Sequence, residues 1–285
     1  MPIIFRDVSY SYNPKTPLEH LAISHLNFEI QKGSFTAIVG RTGCGKSTLV
    51  QQINALFHPT SGEVEVDGFL NSSEKKKRST NAKELRRRVG LVFQFPEYQL
   101  FEETVEKDVA FGPKNFGATP EEALQKAHEA LQKVGLGEEF YERSPFELSG
   151  GEKRRVAIAG IIAYSPEYLV IDEPTAGLDP KGAEEMMDLF QKIHEQGTTV
   201  ILVTHDMNLV LRYCDRVLVL EEGKLVEDDE PRAFFQKDIE KYSLETPMLY
   251  RFIAETKEKG LLLDTSRIVD IDSLADAIVK AREGR

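Results

Sequence analysis

Residues 36–57 read "TAIVGRTGCGKSTLVQQINALF". A short apolar run ends at a glycine, and the eight residues that begin with it fit G-x-x-x-x-G-K-[ST], with Gly40, Gly45, Lys46 and Ser47. Apolar residues then recur at helical spacing, which predicts a helix over 46–57. Strand, glycine-rich loop and helix in this order make a cradle for phosphate. The glycines let backbone N–H groups wrap an anion, and the helix N-terminus adds positive potential. Lys46 is expected on the β- and γ-phosphates, and Ser47 is expected to offer its hydroxyl to Mg²⁺. Arg41, Thr42, Gly43, Cys44 and Thr48 complete the loop. Cys44 fills a free position, where a thiol reagent should block nucleotide binding.

Outward from this loop the pattern is α/β. "YLVID" (168–172) and "TTVILVT" (198–204) are unbroken apolar runs of strand length, as expected of strands buried on both faces of a parallel sheet. Between them "DPKGAEEMMDLFQKIHEQG" reads as a helix, with Asp179 as cap, Pro180 at the first position and Gly197 past the end. Strand, helix, strand is a βαβ unit. Two further helices are expected from "ATPEEALQKAHEALQKVGLG", capped by Thr119 and ended by Gly135, and from "GGEKRRVAIAGIIAY". The β-rich runs "FRDVSYSY", "LNFEI" and "GEVEVDG" precede them, and "DRVLVLEEGKLVEDD" (215–229) predicts a hairpin turning at Glu222–Gly223. After Pro231 the chain looks helical and amphipathic, as a small C-terminal appendage would.

Ligands gather at the carboxyl ends of parallel strands. Asp172 ends its strand and is placed to hold Mg²⁺ through water. Glu173, next in line, can act as general base on a water facing the γ-phosphate. His205 follows the next strand and belongs on the same edge, where it could donate to the γ-phosphate and hold the attacking water. A second anion-binding loop appears in "ELSGGEKRR" (147–155), where Ser149, Gly150 and Gly151 open a helix.

Composition narrows the classes. The chain has 285 residues, 41% hydrophobic and 29% charged, enough for one large domain plus a modest appendage. Its longest apolar run, "VAIAGIIAY" (156–164), is about half of a membrane span, and the N-terminus lacks a secretory signal, so a cytosolic chain is expected. Cys44 and Cys214 are too few for a disulfide framework. A formal charge of −11 argues against nucleic acid as a partner. Positive charge clusters in "SSEKKKRSTNAKELRRR" (72–88), read as a solvated loop running into a helix, with lipid headgroups or an acidic partner as the alternative contact.

The phosphate loop, "FQ" at 93–94, "LSGGE", "YLVIDEP", "AGLD" and "VTH" occur in the order seen in ABC-type ATPase subunits, and the chain resembles that family over roughly residues 3–230. The resemblance implies a P-loop NTPase fold with a parallel-sheet core, an antiparallel β subdomain and a helical subdomain at about 95–165. It also implies an ATP-binding domain over 1–230 and a C-terminal dimerisation appendage over 231–285. In this family two subunits dimerise head to tail, so that Ser149, Gly150 and Gly151 would contact ATP held by the partner's phosphate loop. Gln94 would join Mg²⁺ and the attacking water to the membrane-facing loop, and Asp179 would lie at the dimer interface. Tyr12 looks like the aromatic that stacks on adenine, with Tyr10 as its rival. Glu152 replaces the commoner glutamine of the signature, and only its backbone is expected to matter.

More narrowly, "VGLVFQFPEYQLFEETVEKDVAFGPKNFG" and "LSGGEKRRVAIAGIIA" resemble the second ATP-binding subunit of energy-coupling factor transporters, which import vitamins or transition metals. That implies a peripheral protein on the cytoplasmic face of the membrane. Its partners would be a paralogous ATPase, a transmembrane coupling protein and a membrane-embedded substrate-binding subunit, with Phe95 to Phe101 forming part of the groove for the coupling protein. A conventional ABC solute transporter is the alternative. A DNA-maintenance ATPase is more distant, because about a hundred residues without heptads separate phosphate loop and signature.

Overall fold

The computed structural model describes residues 1–79, 81–259, 263, 268 and 271–283. In chain order its strands are β1 (Ile3–Tyr12), β2 (His20–Ile30), β3 (Phe35–Val39), β4 (Ser61–Val66), β5 (Phe69–Ser72), β6 (Val89–Val92), β7 (Tyr168–Asp172), β8 (Thr199–Val203), β9 (Arg216–Glu221) and β10 (Lys224–Asp229). The helices are α1 (Lys46–Ile53), α2 (Ala82–Arg88), α3 (Val105–Asn115), α4 (Pro120–Lys133), α5 (Gly150–Ile162), α6 (Pro180–Glu195), α7 (Met207–Tyr213), α8 (Pro231–Phe234), α9 (Met248–Glu258) and α10 (Ile271–Glu283).

The central sheet runs β10-β9-β3-β8-β7-β6, parallel throughout except for β10, which returns antiparallel along β9. Glu222 and Gly223 both have positive φ at the β9–β10 turn, as a tight hairpin between right-twisted strands requires. The other sheet, β2-β1-β4-β5, is antiparallel.

Every residue of β3, β7 and β8 is buried, because layers cover both faces of the sheet. Side chains alternate between the two. Leu169, Ile171, Val200 and Leu202 pack towards α3, α4, α5 and α6. Tyr168, Val170, Ile201 and Val203 pack towards α1 and the antiparallel sheet. Helices α3, α4 and α5 all fall between β6 and β7 in sequence, forming one helical block. Thr119 and Glu122 close a capping box at the start of α4, and Gly135 stands past its end at φ +79°.

Some elements depart from expectation. Helix α1 stops at Ile53 rather than Phe57, since Ala55 turns left-handed at φ 53° and breaks the helix one turn early. Strands β5 and β6 and helix α3 were not legible. Four residues are too few for a clear alternation, and Gly112-Pro113 inside α3 reads as a turn. The basic stretch does run into a helix, α2. Much of its charge is locally paired, with Lys77 on Glu74, Arg87 on Glu84, and Arg88 on Asp67 and Glu84.

Beyond residue 231 the packing does not change as sharply as the sequence does. Phe234, Phe235, Ile239, Tyr242 and Leu244 bury against Ala37, Val39, Val217 and Val219. Irregular chain, not continuous helix, joins α8 to α9. No residue of α9 is fully buried: Tyr250 packs partly buried against Phe235, with ring centroids 5.6 Å apart, while Met248 and Phe252 are exposed. The expected helical tail at 260–262 lies outside the described residues. Among the described residues no helix is long and apolar enough to cross a membrane.

Candidate functional site

The loop after β3 closes against its neighbours at two glycines. Gly40 has φ +147°, and a Cβ there would collide with the carbonyl oxygen of Leu220. Gly45 has φ +105°, and its Cβ would meet the carbonyl of Ala22. Only glycine fits at either point. Helix α1 then starts with no side-chain cap and no acid in its first turn, leaving its positive end for an anion. Lys46 Nζ donates to the carbonyl oxygens of Gly40 (2.7 Å) and Arg41 (3.1 Å), so the ammonium lies across the loop.

Asp172 ends β7 beside this loop and is 9% exposed. Ser47 Oγ donates to its Oδ2 at 2.9 Å. Burial pushes the Asp172 carboxyl up from the usual carboxylate range. The Ser47 hydrogen bond and nearby Lys46 oppose that, while neighbouring Glu173 adds to it. A hydroxyl and a carboxylate in contact are the hard oxygen donors a small divalent cation takes, with water and phosphate oxygens filling its other positions. Among the described residues there is no group of three or more His, Cys, Asp or Glu that could hold a metal ion.

Glu173 sits at φ 50°, a left-handed backbone unusual for a side-chain-bearing residue, with its N–H on Val203 O at 2.9 Å. His205 Nδ1 lies 2.9 Å from both of its carboxylate oxygens. The imidazole is otherwise exposed, at 77% for its side chain. Adjacent parallel strands account for the meeting: Asp172 pairs with Val203, so the residues that follow each strand emerge side by side.

Tyr12 and Tyr10 differ in their surroundings. The Tyr12 hydroxyl is 2.9 Å from Thr48 Oγ1, and its ring is 36% exposed over the start of α1. One face of Tyr10 is covered by Phe57, with ring centroids 5.1 Å apart and planes at 10°. Cys44 is buried, and burial lifts its thiol, partly offset by Lys46. A cleft of about 640 Å³ opens in front of the loop between Gly40–Thr42, His205–Asn208 and Ser243–Glu245.

None of Ser149, Gly150 or Gly151 lines that cleft. They are exposed at the start of α5, at the end of the helical block. Ser149 Oγ accepts from Glu152 N, and Glu152 Oε2 accepts from Ser149 N at 2.7 Å, a capping box. The Glu152 side chain therefore does matter, contrary to expectation, because it holds the serine in place. Its carboxyl is lowered by hydrogen bonds from the Ser149 side chain and backbone. Asp179 is exposed and caps α6 through Gly182 N at 2.6 Å.

Gln94 is exposed just beyond β6, and Phe95, Tyr98, Phe101 and Phe111 form an exposed aromatic group beside it. The rings of Phe101 and Phe111 meet edge to face at 5.0 Å. Arg154 and Glu97, which join beneath this group, were missed. Only the "KRR" after the signature hints at a basic residue there, and nothing in it marks the first arginine, Arg154, as the buried one.

A family model described as ABC transporter matches residues 23–176. The Spiroplasma kunkelii energy-coupling factor transporter ATP-binding protein EcfA2 is 49% identical over 284 residues, 99% of this chain and 93% of its own length. Among solved structures, cbiO1 from Clostridium perfringens, part of the ABC transporter complex cbiONQ, superposes with a TM-score of 0.73. It is 35% identical and covers 88% of this chain and 98% of its own. The ATP-binding cassette MJ0796, in a dimeric post-hydrolysis state bound to ADP and Pi, gives a TM-score of 0.68. Identity there is 31%, over 81% of this chain and 99% of its own. The chain thus belongs to the ABC transporter family, among the ATP-binding subunits of energy-coupling factor transporters, and is an ATP hydrolase coupled to transport.

Proposed function

We propose that this ATPase powers import of vitamins or transition-metal ions as one of a head-to-tail ATPase pair. Its partners are a paralogous ATPase, a transmembrane coupling protein and a membrane-embedded substrate-binding subunit. It works on the cytoplasmic face of the membrane, with the segment from residue 231 onward helping to hold the pair together through α9 and its exposed Met248 and Phe252.

Each composite site draws on both subunits. Lys46, the loop N–H groups and the α1 N-terminus hold the phosphates, and Tyr12 stacks on adenine. Ser47, Gln94 and Asp172 would hold Mg²⁺, which when bound neutralises phosphate charge. Glu173 accepts the proton of the attacking water as the new P–O bond forms and the bond to the β-phosphate's bridging oxygen breaks. His205 steadies Glu173 and donates to the γ-phosphate. Ser149, Gly150 and Gly151 complete the partner's site, and Asp179 faces its counterpart across the interface. Closure around nucleotide moves the coupling protein seated by Gln94, and hydrolysis lets the pair part.

The observation that carries the transporter reading is the exposure of Phe95, Tyr98 and Phe101 on the loop that starts at Gln94, with Tyr98 84% accessible, and of Phe111 on α3 against Phe101. Two exposed aromatic pairs, Phe95 with Tyr98 and Phe101 with Phe111, on neighbouring segments favour a protein partner over bare solvent. The test is to tag the chain in its native host, purify from membranes in mild detergent and identify what accompanies it. A second ATPase, a polytopic protein and small membrane proteins would support the reading. Recovery with a conventional permease pair, or only in the soluble fraction with DNA, would sink it.

A further inference from the structure

Arg154 lies in the second turn of α5, is 4% exposed, and uses all five of its N–H donors. Nε donates to Glu97 Oε2 (3.3 Å) and Nη2 to Glu97 Oε1 (3.3 Å), a two-pronged pair. Nη2 also donates to Gln94 O (3.4 Å), while Nη1 donates to Pro174 O (3.4 Å) and Ala176 O (2.8 Å). The guanidinium carbon stands 5.9 Å from the Phe95 ring centroid.

These contacts join three segments with different duties. Gln94 to Glu97 carry the exposed aromatics. Pro174 to Ala176 follow Glu173 directly and lead to Asp179. Helix α5 carries Ser149 at its tip, five residues before Arg154. A planar cation with every donor engaged has one geometry that satisfies all its partners, so displacing one segment strains its bonds to the other two.

We propose that Arg154, paired with Glu97, is a positioning residue that locks the glutamine loop, the signature helix and the loop after Glu173 into one register. Pressure on Phe95 and Tyr98 then reaches the chain's own Glu173 and the signature it lends to its partner together. Arg154 touches neither nucleotide nor water. Its role is to keep the two half-sites of one chain in step with the surface the membrane partner occupies, and it rests on the transporter reading above.

The test uses the assembled transporter in lipid vesicles. Glu97→Gln and Arg154→Lys keep size or charge but cannot reproduce the two-pronged pair, whereas Glu97→Asp retains the carboxylate. Expected for the first two are a melting temperature and a KM for ATP close to wild type, at least a tenfold fall in kcat, and loss of stimulation by the membrane partners. Glu97→Asp should recover part of that stimulation. Undiminished stimulation in both, or a raised KM with kcat and melting temperature falling together, would overturn the proposal and leave a structural brace. If Arg154→Lys does not fold, Glu97→Gln, on a partly exposed turn, decides alone. A wild-type complex whose ATPase ignores its membrane partners would overturn the transporter reading and this inference with it.

Discussion

Substitution of Ser149 separates local stability from action on the partner's nucleotide. Its Oγ caps α5, and Glu152 returns the bond. Ser149→Ala removes the cap, a loss of about 1 kcal/mol, which in a domain of this size lowers the melting temperature by about 2–4 °C. Ser149→Asp keeps a capping oxygen and adds a charge that the helix N-terminus favours, so the melting temperature should hold. Its effect on catalysis is opposite. A carboxylate about 4 Å from a phosphate charge at an effective dielectric near 20 is repelled by about 4 kcal/mol, roughly a thousandfold in rate.

The assay is phosphate release by the assembled ATPase pair, beside equilibrium binding of a fluorescent ATP analogue to this chain alone. Ser149→Asp should bind nucleotide like wild type and lose turnover at the site its signature completes. Lys46→Ala should lose binding outright, because its ammonium spans its own loop. Near-normal turnover in the fully occupied Ser149→Asp complex would refute a trans role for the serine. A binding defect in the isolated Ser149→Asp chain would refute the separation of the two loops.

Glu173→Gln keeps the shape that His205 braces but cannot take a proton. ATP should still bind and favour the closed pair, while single-turnover phosphate release falls at least a hundredfold; full turnover would remove Glu173 from the base role. Tyr12→Ala should weaken ATP binding by about 1–3 kcal/mol, the usual worth of base stacking, with Tyr12→Phe near wild type and Tyr10→Leu affecting stability more than affinity; equal affinity losses at 10 and 12 would refute the assignment. Asp172→Asn should abolish Mg²⁺-dependent turnover yet raise the melting temperature of the nucleotide-free chain at neutral pH. Because the folded carboxyl is raised, its cost is absent below the ordinary carboxylate pKa and complete above the folded one, so the gain should vanish as pH falls through that window. Melting curves at pH 7.5 and at a pH below the ordinary aspartate range, in EDTA, measure it.

The parallel core was legible because burial on both faces writes unbroken apolar runs: "YLVID" is β7 residue for residue. Capped helices were legible for a similar reason, since Thr119, Ser149 and Asp179 each announce a start. Strand β6 was not, because four residues with Gly90 among them show no period. The glycine is set by contact, as a Cβ there would press on Ile161 and Pro166. The phosphate loop, Asp172 and Glu173 follow from local sequence, whereas the choice between Tyr10 and Tyr12 turns on where Phe57 lies.

Arg154 marks the boundary of what a local reading reaches. Its partners lie 57 to 60 residues away on one side and 20 to 22 on the other, so no window of sequence contains them. In "EKRR" it is indistinguishable from Arg155, which stays near the surface and pairs with Glu185. What separates the two is the turn of α5: one arginine faces the crevice between the glutamine loop and the loop after Glu173, and the next swings away from it. Elements that hold nucleotide are local because a phosphate needs contiguous N–H groups. An element that relates two nucleotides to a distant surface must be non-local, and a buried arginine with five directional donors can bridge three loops at once. An energy-transducing ATPase therefore shows its chemistry in its sequence motifs and its coupling in the packing between them.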